Sequence, residues 1–431
     1  MGSHSSSGIQ DTLPLAAHTS TTCTCKSHIF IDSEMATNVK MPLDLPNPGP
    51  LTEAQKALVK STVPILEKQG PEITRRFYKA MLSANPDLKN TFNNSKQQQG
   101  GQAEALARAV YGYAAHIDDP TPILPYVERI THKHASLNIH PSQYKIVGHH
   151  LLSAITEVVG PSVFQGALYD AWYAAYWELA RLFIGLEEKL YEGAEWVGWR
   201  EFVVRERKEE TEDVCSFYLV PKDGGVLPGY KPGQYISVQR YIPELGFNQS
   251  RQYSLSDAPN TNHFRISVRR DHSPIPGTLS NNLHSTLHTG DTIQVAFPFG
   301  EFFLSSSSST CPSSTTSTSS GVHSLASHAL NNETTSLLTL HPSPSQVKRA
   351  IFYSDIQGAV QGQDYDFAGR MDLSKLGDEV LRVGDESAEY YVCGPERFMD
   401  DIGKSLRGRG VDVTRIHSEM FSAAANPISG N

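Results

Sequence analysis

The chain has 431 residues, with 37 Lys and Arg against 46 Asp and Glu, a formal charge of −9, and 39% of it is hydrophobic. Its length allows about three domains, and its acidic balance excludes a general nucleic-acid binder, which needs a basic surplus to meet phosphates. No run of about 18 apolar residues exists, so no transmembrane helix is expected, and the five scattered cysteines (Cys23, Cys25, Cys215, Cys311, Cys393) fit a reducing compartment better than a disulfide scaffold.

Residues 1–50 are rich in Ser, Thr and Pro, have no sustained period and are expected to be a disordered extension. They lack the Arg content of a mitochondrial transit peptide and the apolar core of a secretory signal, so a cytoplasmic location is expected. Met1-Gly2-x-x-x-Ser6 formally matches an N-myristoylation pattern, for which chance is the plainer reading.

Order begins near Leu51, where Thr52 and Gln55 make a capping box. From there to Tyr191 the apolar residues recur at helical spacing. Leu106, Val110, Tyr113 and Ile117 form one stripe, and Ile123, Val127 and Ile130 a second. Tyr144, Val147, Leu151, Ile155 and Val158 form a third, and Trp172, Tyr176, Leu179 and Phe183 a fourth. Several helices within 51–191 make one all-α domain.

After Trp199 the period falls to two. Phe264, Ile266 and Val268 alternate with polar residues, as do Ile293, Val295 and Phe297, with Gly and Pro between the runs. Such short strands predict a small antiparallel barrel over residues 196–304. Residues 305–346 are then a Ser/Thr-rich insert that cannot bury enough surface to fold alone. Regular structure returns at Ala350 to Tyr353. A strand from Tyr390 to Cys393 leads into a helix carrying Phe398, Ile402 and Leu406, an α/β pattern over 347–431.

Several polar residues fall on apolar stripes. His134 continues the line of Val127 and Ile130 and is expected to point inward, whereas His132, two positions away, faces the opposite side. A core histidine bonded to backbone is one reading of His134, a haem or metal ligand the other. Tyr144 begins the next apolar face, and Glu187 lies four after Phe183 on the Trp172 stripe. A carboxylate there is costly unless hydrogen-bonded. An imidazole ligand bonded through its other nitrogen to a carboxylate becomes more electron-donating. Gln102 heads the Leu106 stripe and Tyr78 follows Phe77 on an earlier helix; ordinary packing is one reading of each alone, and hydrogen bonds to a ligand on iron the reading of the two together.

Residues 51–191 resemble the globin domain of the flavohaemoglobins. The resemblance is carried by Phe77-Tyr78, Thr91-Phe92-Asn93, Gln102, Lys133-His134, Tyr144 and Glu187, in that order and spacing. It implies haem b, with His134 as the proximal iron ligand and Tyr144 and Glu187 as its hydrogen-bond relay. It further implies that Lys133 tunes the haem potential, that Tyr78 and Gln102 hold bound oxygen, and that Phe92 and Leu106 line the porphyrin.

In the barrel, an Arg fork can pair with a pyrophosphate, a Tyr ring can stack on isoalloxazine, and a Ser hydroxyl can donate to a ring nitrogen. Arg251-Gln252-Tyr253-Ser254 supplies all three, and Gly277-Thr278-Leu279-Ser280 opens a helix whose free N–H groups suit phosphate. With Lys231-Pro-Gly-Gln-Tyr235, these residues resemble the FAD domain of the ferredoxin reductase superfamily, the second module of flavohaemoglobins. The resemblance implies FAD contacts at Tyr235 and residues 251–254, a pyrophosphate near 277–280, and a flavin-covering segment at Glu419-Met420-Phe421.

Tyr391-Val-Cys393-Gly394-Pro395 resembles the last strand and turn of the family's NAD(P)-binding domain, where Cys and Gly lie near the nicotinamide. The family's G-x-G-x-T-P turn, whose glycines let backbone approach the dinucleotide phosphates, is absent. Between Gly300 and Gly358 the only glycine is Gly321. A lost coding segment and a degenerate reductase both account for this, so NAD(P)H is an expected cofactor without its usual cradle. The fold class is thus an all-α globin domain, an antiparallel FAD barrel and a truncated α/β NAD(P)-binding domain. The function implied is nitric oxide dioxygenase, an oxidoreductase turning NO and O2 into nitrate, expected to be a monomer. A haem-based binder or sensor of O2 or NO with a vestigial reductase is the alternative.

Overall fold

A computed structural model describes residues 44–92, 100–272, 277–303, 316–322 and 348–419. Most of the N-terminal extension, much of the Ser/Thr-rich insert, Met420 and Phe421 lie outside the described residues.

The first unit is helical. Thr52 accepts from Gln55 N, and the Gln55 side chain returns to the Thr52 amide, so the capping box opens α1 (Glu53–Ser61). There follow α2 (Val63–Ala84), α3 (Gly101–Ala115), α4 (Leu124–Ser136), α5 (Pro141–Val159) and α6 (Ala167–Glu192). Gly70 lets α2 and α3 cross closely, because a Cβ there would stand 3.3 Å from that of Ala107. The apolar interior divides into two clusters. One gathers Phe77, Tyr78, Tyr113 and Trp172, with Phe92, Leu106 and Val110 packed against it. The other holds Val127, Tyr144, Trp177 and Phe183, with Ile130 at its margin.

The second unit is one six-stranded sheet, all of whose ladders are antiparallel. It is built from β1 (Arg200–Glu209), β2 (Val214–Pro221), β3 (Tyr235–Ile242), β4 (Phe247–Ser254), β5 (Phe264–Arg269) and β6 (Thr292–Val295), with α7 (Thr278–Thr286) before the last strand. The spatial order is β4-β3-β6-β1-β2-β5. Inward residues of period two, among them Phe202, Phe217, Ile236, Phe264 and Ile293, form its core together with Leu279 and Leu283 of α7.

The C-terminal unit differs from the sequence expectation in one respect. Within the Ser/Thr-rich insert, β7 (Thr316–Val322) pairs in parallel with β8 (Lys348–Tyr353), so this stretch is a strand rather than structureless filler. Its side chains give no apolar signal, but the ladder needs only backbone groups, and Thr suits a strand. β8 pairs with β9 (Phe367–Ala368). After a short α8 (Asp378–Leu381), β10 (Tyr390–Cys393) pairs in parallel with β11 (Ile416–Glu419), across α9 (Glu396–Gly408). Among the described residues the parallel strands thus form two sheets, of three and two strands. Met399, Ile402 and Leu406 of α9 join Phe352 and Val392 in one core. Among the described residues no helix is long and apolar enough to cross a membrane.

Candidate functional site

His134 stands on the last turn of α4. Its Nδ1 lies 2.8 Å from Glu187 Oε1 and 3.0 Å from the Tyr144 hydroxyl. The Tyr144 hydroxyl lies 2.5 Å from the same carboxylate oxygen. The sequence brought these three onto inward stripes of three different helices, and the fold joins them. Burial, reinforced by the Glu187 carboxylate, holds the Tyr144 hydroxyl well above its ordinary value, so it keeps its proton and donates it to Glu187. A carboxylate only accepts, so Nδ1 of His134 must carry the ring proton. That leaves the Nε2 lone pair outward. Nε2 makes no hydrogen bond among the described residues, and the imidazole is 30% exposed while the Glu187 side chain is 3% exposed. An oriented, unpartnered imidazole nitrogen beside a buried carboxylate is the donor arrangement of a metal-bound histidine, so the residues fit an iron ligand.

The supports of this set are also in place. Tyr176 on α6 donates to the Tyr144 carbonyl at 2.5 Å, and its ring lies where a Cβ on Gly148 would stand, 2.4 Å from Cε1. Phe183 packs its ring 5.5 Å from that of His134. In the other apolar cluster Tyr78 is buried between Phe77 and Phe92, with ring centroids 4.8 and 5.7 Å away. Burial raises the Tyr78 hydroxyl, which remains a donor and meets no partner among the described residues. Gln102, Leu106 and Lys133 are half-buried.

The ladder of β3 and β4 divides the predicted flavin residues. Tyr235 pairs with Ser254 and Ser237 with Gln252, so Tyr235, Gln252 and Ser254 share one face. Arg251 and Tyr253 alternate to the other, where Tyr253 packs on the barrel core. Burial lowers the Arg251 guanidinium, the mark of a cation held away from water, and its Nη1 donates to Ser250 O at 2.7 Å. Gly277 begins α7 with no side-chain cap, and a Cβ on it would stand 2.5 Å from Ser280 Oγ. The start of α7, with Thr278, Leu279 and Ser280 in its first turn, lies beside the Asp271 carboxylate, since a Cβ on Gly277 would stand 2.9 Å from Asp271 Oδ2. The Arg251 guanidinium, held partly away from water, fits a pyrophosphate.

On the third unit, the register sets Cys393 opposite Glu419, and the thiol donates to Glu419 Oε2 at 3.5 Å. Burial first, and then the carboxylate, pushes the Cys393 thiol up to about 12, and burial raises Glu419 to about 7. Gly394 presses on Phe398, which a Cβ would meet at 2.6 Å, and Pro395 caps α9. Glu419 also comes within electrostatic reach of Tyr235, Glu301 and Arg129, so the three units meet at this point.

Sequence reasoning missed the residues of this meeting. Arg129 pairs with Glu301 at 3.1 Å. Gln252 Nε2 lies 3.4 Å from Ser136 Oγ. The Tyr235 hydroxyl comes near the same Ser136. Arg129 and Ser136 lie on the polar side of α4, whose spacing had no reason to read as anything but solvent-facing.

The globin family model matches residues 75–181, within the helical unit. A flavohemoprotein of Rhizobium meliloti is 39% identical over 402 residues, covering 86% of this chain and 98% of its own length. One of Bordetella parapertussis is 42% identical over 404 residues, with the same coverage. The chain belongs to the flavohemoprotein family. The flavohemoglobin of Malassezia yamatoensis, solved with bound FAD and heme, matches 86% of this flavohemoprotein and all of its own chain, at 26% identity and a TM-score of 0.71. The alignments with the two bacterial relatives are longer than the stretch of this flavohemoprotein they engage: 86% of 431 residues is about 370, so roughly 30 positions of the relatives have no counterpart. That shortfall accords with the missing glycine turn.

Proposed function

We propose that the chain is a nitric oxide dioxygenase, binding haem b at His134 and FAD on the β3–β4 barrel, and converting NO and O2 to nitrate. The observation that carries the reading is the His134, Tyr144 and Glu187 set, with its protonated Nδ1 and outward Nε2. When bound, haem supplies the iron at which O2 and NO react, and the flavin supplies single electrons to it.

The protein's own residues supply the rest. His134 Nε2, left without a partner among the described residues by the Nδ1 contact to Glu187, would hold the iron. Glu187 accepts the Nδ1 proton and makes the imidazole more anionic, which pushes electron density outward through Nε2. Tyr144 fixes the carboxylate, so the ring cannot rotate away from it. Tyr78 and Gln102 would act as donors to a gaseous ligand, and because Tyr78 keeps its proton it could stabilise negative charge there without ionising. Phe92 and Leu106 exclude water around it. On the barrel, Arg251 and the start of α7 would hold the pyrophosphate, while Tyr235, Gln252 and Ser254 from one face of the ladder and Tyr253 from the other would orient the ring system. Lys133, Cys393, Gly394, Pro395, Glu419 and Phe421 belong to the proposal only through the resemblance. No glycine turn is available to cradle a dinucleotide, so the residues do not fit NAD(P)H in the family's manner and no step is routed through it.

The test is NO consumption at an electrode by the haem- and FAD-loaded chain, with electrons delivered to the flavin by photoreduction. Consumption at least tenfold above the His134→Ala variant is expected. Equal rates in the two would overturn the enzyme reading.

A further inference from the structure

We infer that His132 is a positioning residue: it latches the flavin barrel onto the face of α4 opposite His134 and so sets the separation of flavin and haem. The inference rests on the reading that haem binds at His134 and FAD on β3–β4.

Two residues along a helix turn the side chain by roughly 200°. His134 therefore points toward Glu187 and Tyr144, while His132 points out of the helical unit. It is nevertheless buried, at 9% exposed, because the segment Phe299-Gly300-Glu301 covers it. The Gly300 amide donates to His132 Nδ1 at 3.2 Å, and the Phe299 ring stands edge-on to the imidazole at 6.5 Å. A backbone N–H can only donate, so His132 carries its ring proton on Nε2, the reverse of His134. Neighbouring histidines thus hold opposite tautomers, each fixed by its own partner.

Gly300 connects this contact to the flavin residues. Its φ of +129° lies where glycine is favoured, and a Cβ would stand 3.2 Å from two atoms of the Tyr235 ring. Phe299 and Tyr235 exchange both backbone hydrogen bonds, at 2.9 and 3.0 Å. A rigid path therefore runs from α4 through His132, Gly300 and Tyr235 to the face shared with Gln252 and Ser254. Arg129, three residues before His132, pairs with Glu301 on the same segment, and Ser136, four after, meets Gln252. Positions 129, 132 and 136 lie on one helical face, and His132 is the most buried of the contacts that reach Phe299 to Glu301. Removing its acceptor leaves the Gly300 amide buried without a partner, which favours a shift of the segment.

The experiment uses the full chain loaded with haem and FAD. The flavin is photoreduced by a light pulse under CO, and haem reduction is followed at the Soret band. The variants are His132→Leu, His132→Asn and His132→Gln. The Asn oxygen stands near the place of Nδ1, whereas the Gln oxygen reaches toward that of Nε2. Electron transfer is expected to slow by about tenfold or more in His132→Leu and His132→Gln, because its rate falls exponentially as the two cofactors separate and lose their relative orientation. His132→Asn should stay within a few-fold of the parent. Amide exchange at residues 299–301 should quicken in the slow variants only, with CO recombination unchanged in all three. If His132→Leu does not fold, the Asn and Gln pair decides alone. Leu or Gln variants transferring as fast as the parent, both cofactors bound, overturn the latch and leave the functional reading intact. A parent chain without a Soret band or flavin absorbance overturns both.

Discussion

The proton on His134 Nδ1 is fixed by one oxygen atom. Glu187 Oε1 accepts from the imidazole at 2.8 Å and from Tyr144 at 2.5 Å, so its charge is shared between two donors. Glu187→Gln puts a neutral amide there. The imidazole becomes less anionic, and the expected result is a lower Fe–His stretching frequency and a haem affinity reduced by about 10- to 100-fold, the usual cost of losing such a partner. Resonance Raman spectra and haem transfer to a scavenger globin measure the two, and an unchanged frequency would show that the carboxylate does not act through the ring. A second carboxylate behaves differently. Burial raises Glu419 to about 7, above its ordinary 4.5, so between these values the folded state binds a proton that the unfolded chain releases. Stability around β10 and β11 should therefore fall as pH rises from about 4.5 to about 7, and Glu419→Gln should flatten that slope. Native-state amide exchange across Tyr390–Cys393 reads it directly. The Cys393 thiol, held at about 12 by burial and by this carboxylate, should also alkylate far more slowly than a free cysteine at pH 8.

At the scale of elements, α5 and α6 are held together at Gly148. A Cβ there would stand 2.4 Å from Tyr176 Cε1, in the ring that anchors the Tyr144 carbonyl. Alanine would favour the helix by about 1 kcal/mol, but overpacking of this kind costs about 1–3 kcal/mol. Gly148→Ala should therefore lower the urea midpoint and loosen Tyr144; a higher midpoint would mean that the ring turns aside freely. The same elements mark what was legible in the sequence. His134, Tyr144 and Glu187 could be read because each interrupts an apolar stripe, and a polar residue on such a stripe needs a partner. The docking face of α4 could not, since Arg129, His132 and Ser136 carry the pattern of a solvated surface until Glu301, Gly300 and Gln252 cover it. β7 was invisible for another reason: Ser and Thr give no hydrophobic period, and its strand rests on a backbone ladder to β8 whose register no local pattern encodes. The alternation of Arg251 and Gln252 to opposite faces was available from the period of two, but a shared motif hid it.

Across the whole molecule, the three units converge where Arg129, Glu301 and Glu419 come within electrostatic reach of one another, beside Tyr235. That convergence places the C-terminal strand β11 next to Tyr235 and the face it shares with Gln252 and Ser254. The donor side is a separate matter. Dinucleotide phosphates are held by a glycine turn because only glycine lets backbone N–H groups come close enough, and between Gly300 and Gly358 this chain offers Gly321 alone. The Tyr390–Cys393 strand and its Gly394-Pro395 turn remain, yet among the described residues β10 and β11 form a sheet of their own, unpaired with β7 and β8. A nicotinamide pocket with no phosphate anchor binds weakly, because the dinucleotide's charge then has no matched donors. Anaerobic mixing with NADH or NADPH at millimolar concentration should therefore leave the flavin absorbance oxidised for minutes. Photoreduction of the same sample should bleach it and pass electrons on to the haem. Bleaching within a second of adding either nucleotide would mean that this chain builds a phosphate site from residues other than glycine, and the Ser/Thr-rich stretch leading into β7 would then be the first place to substitute.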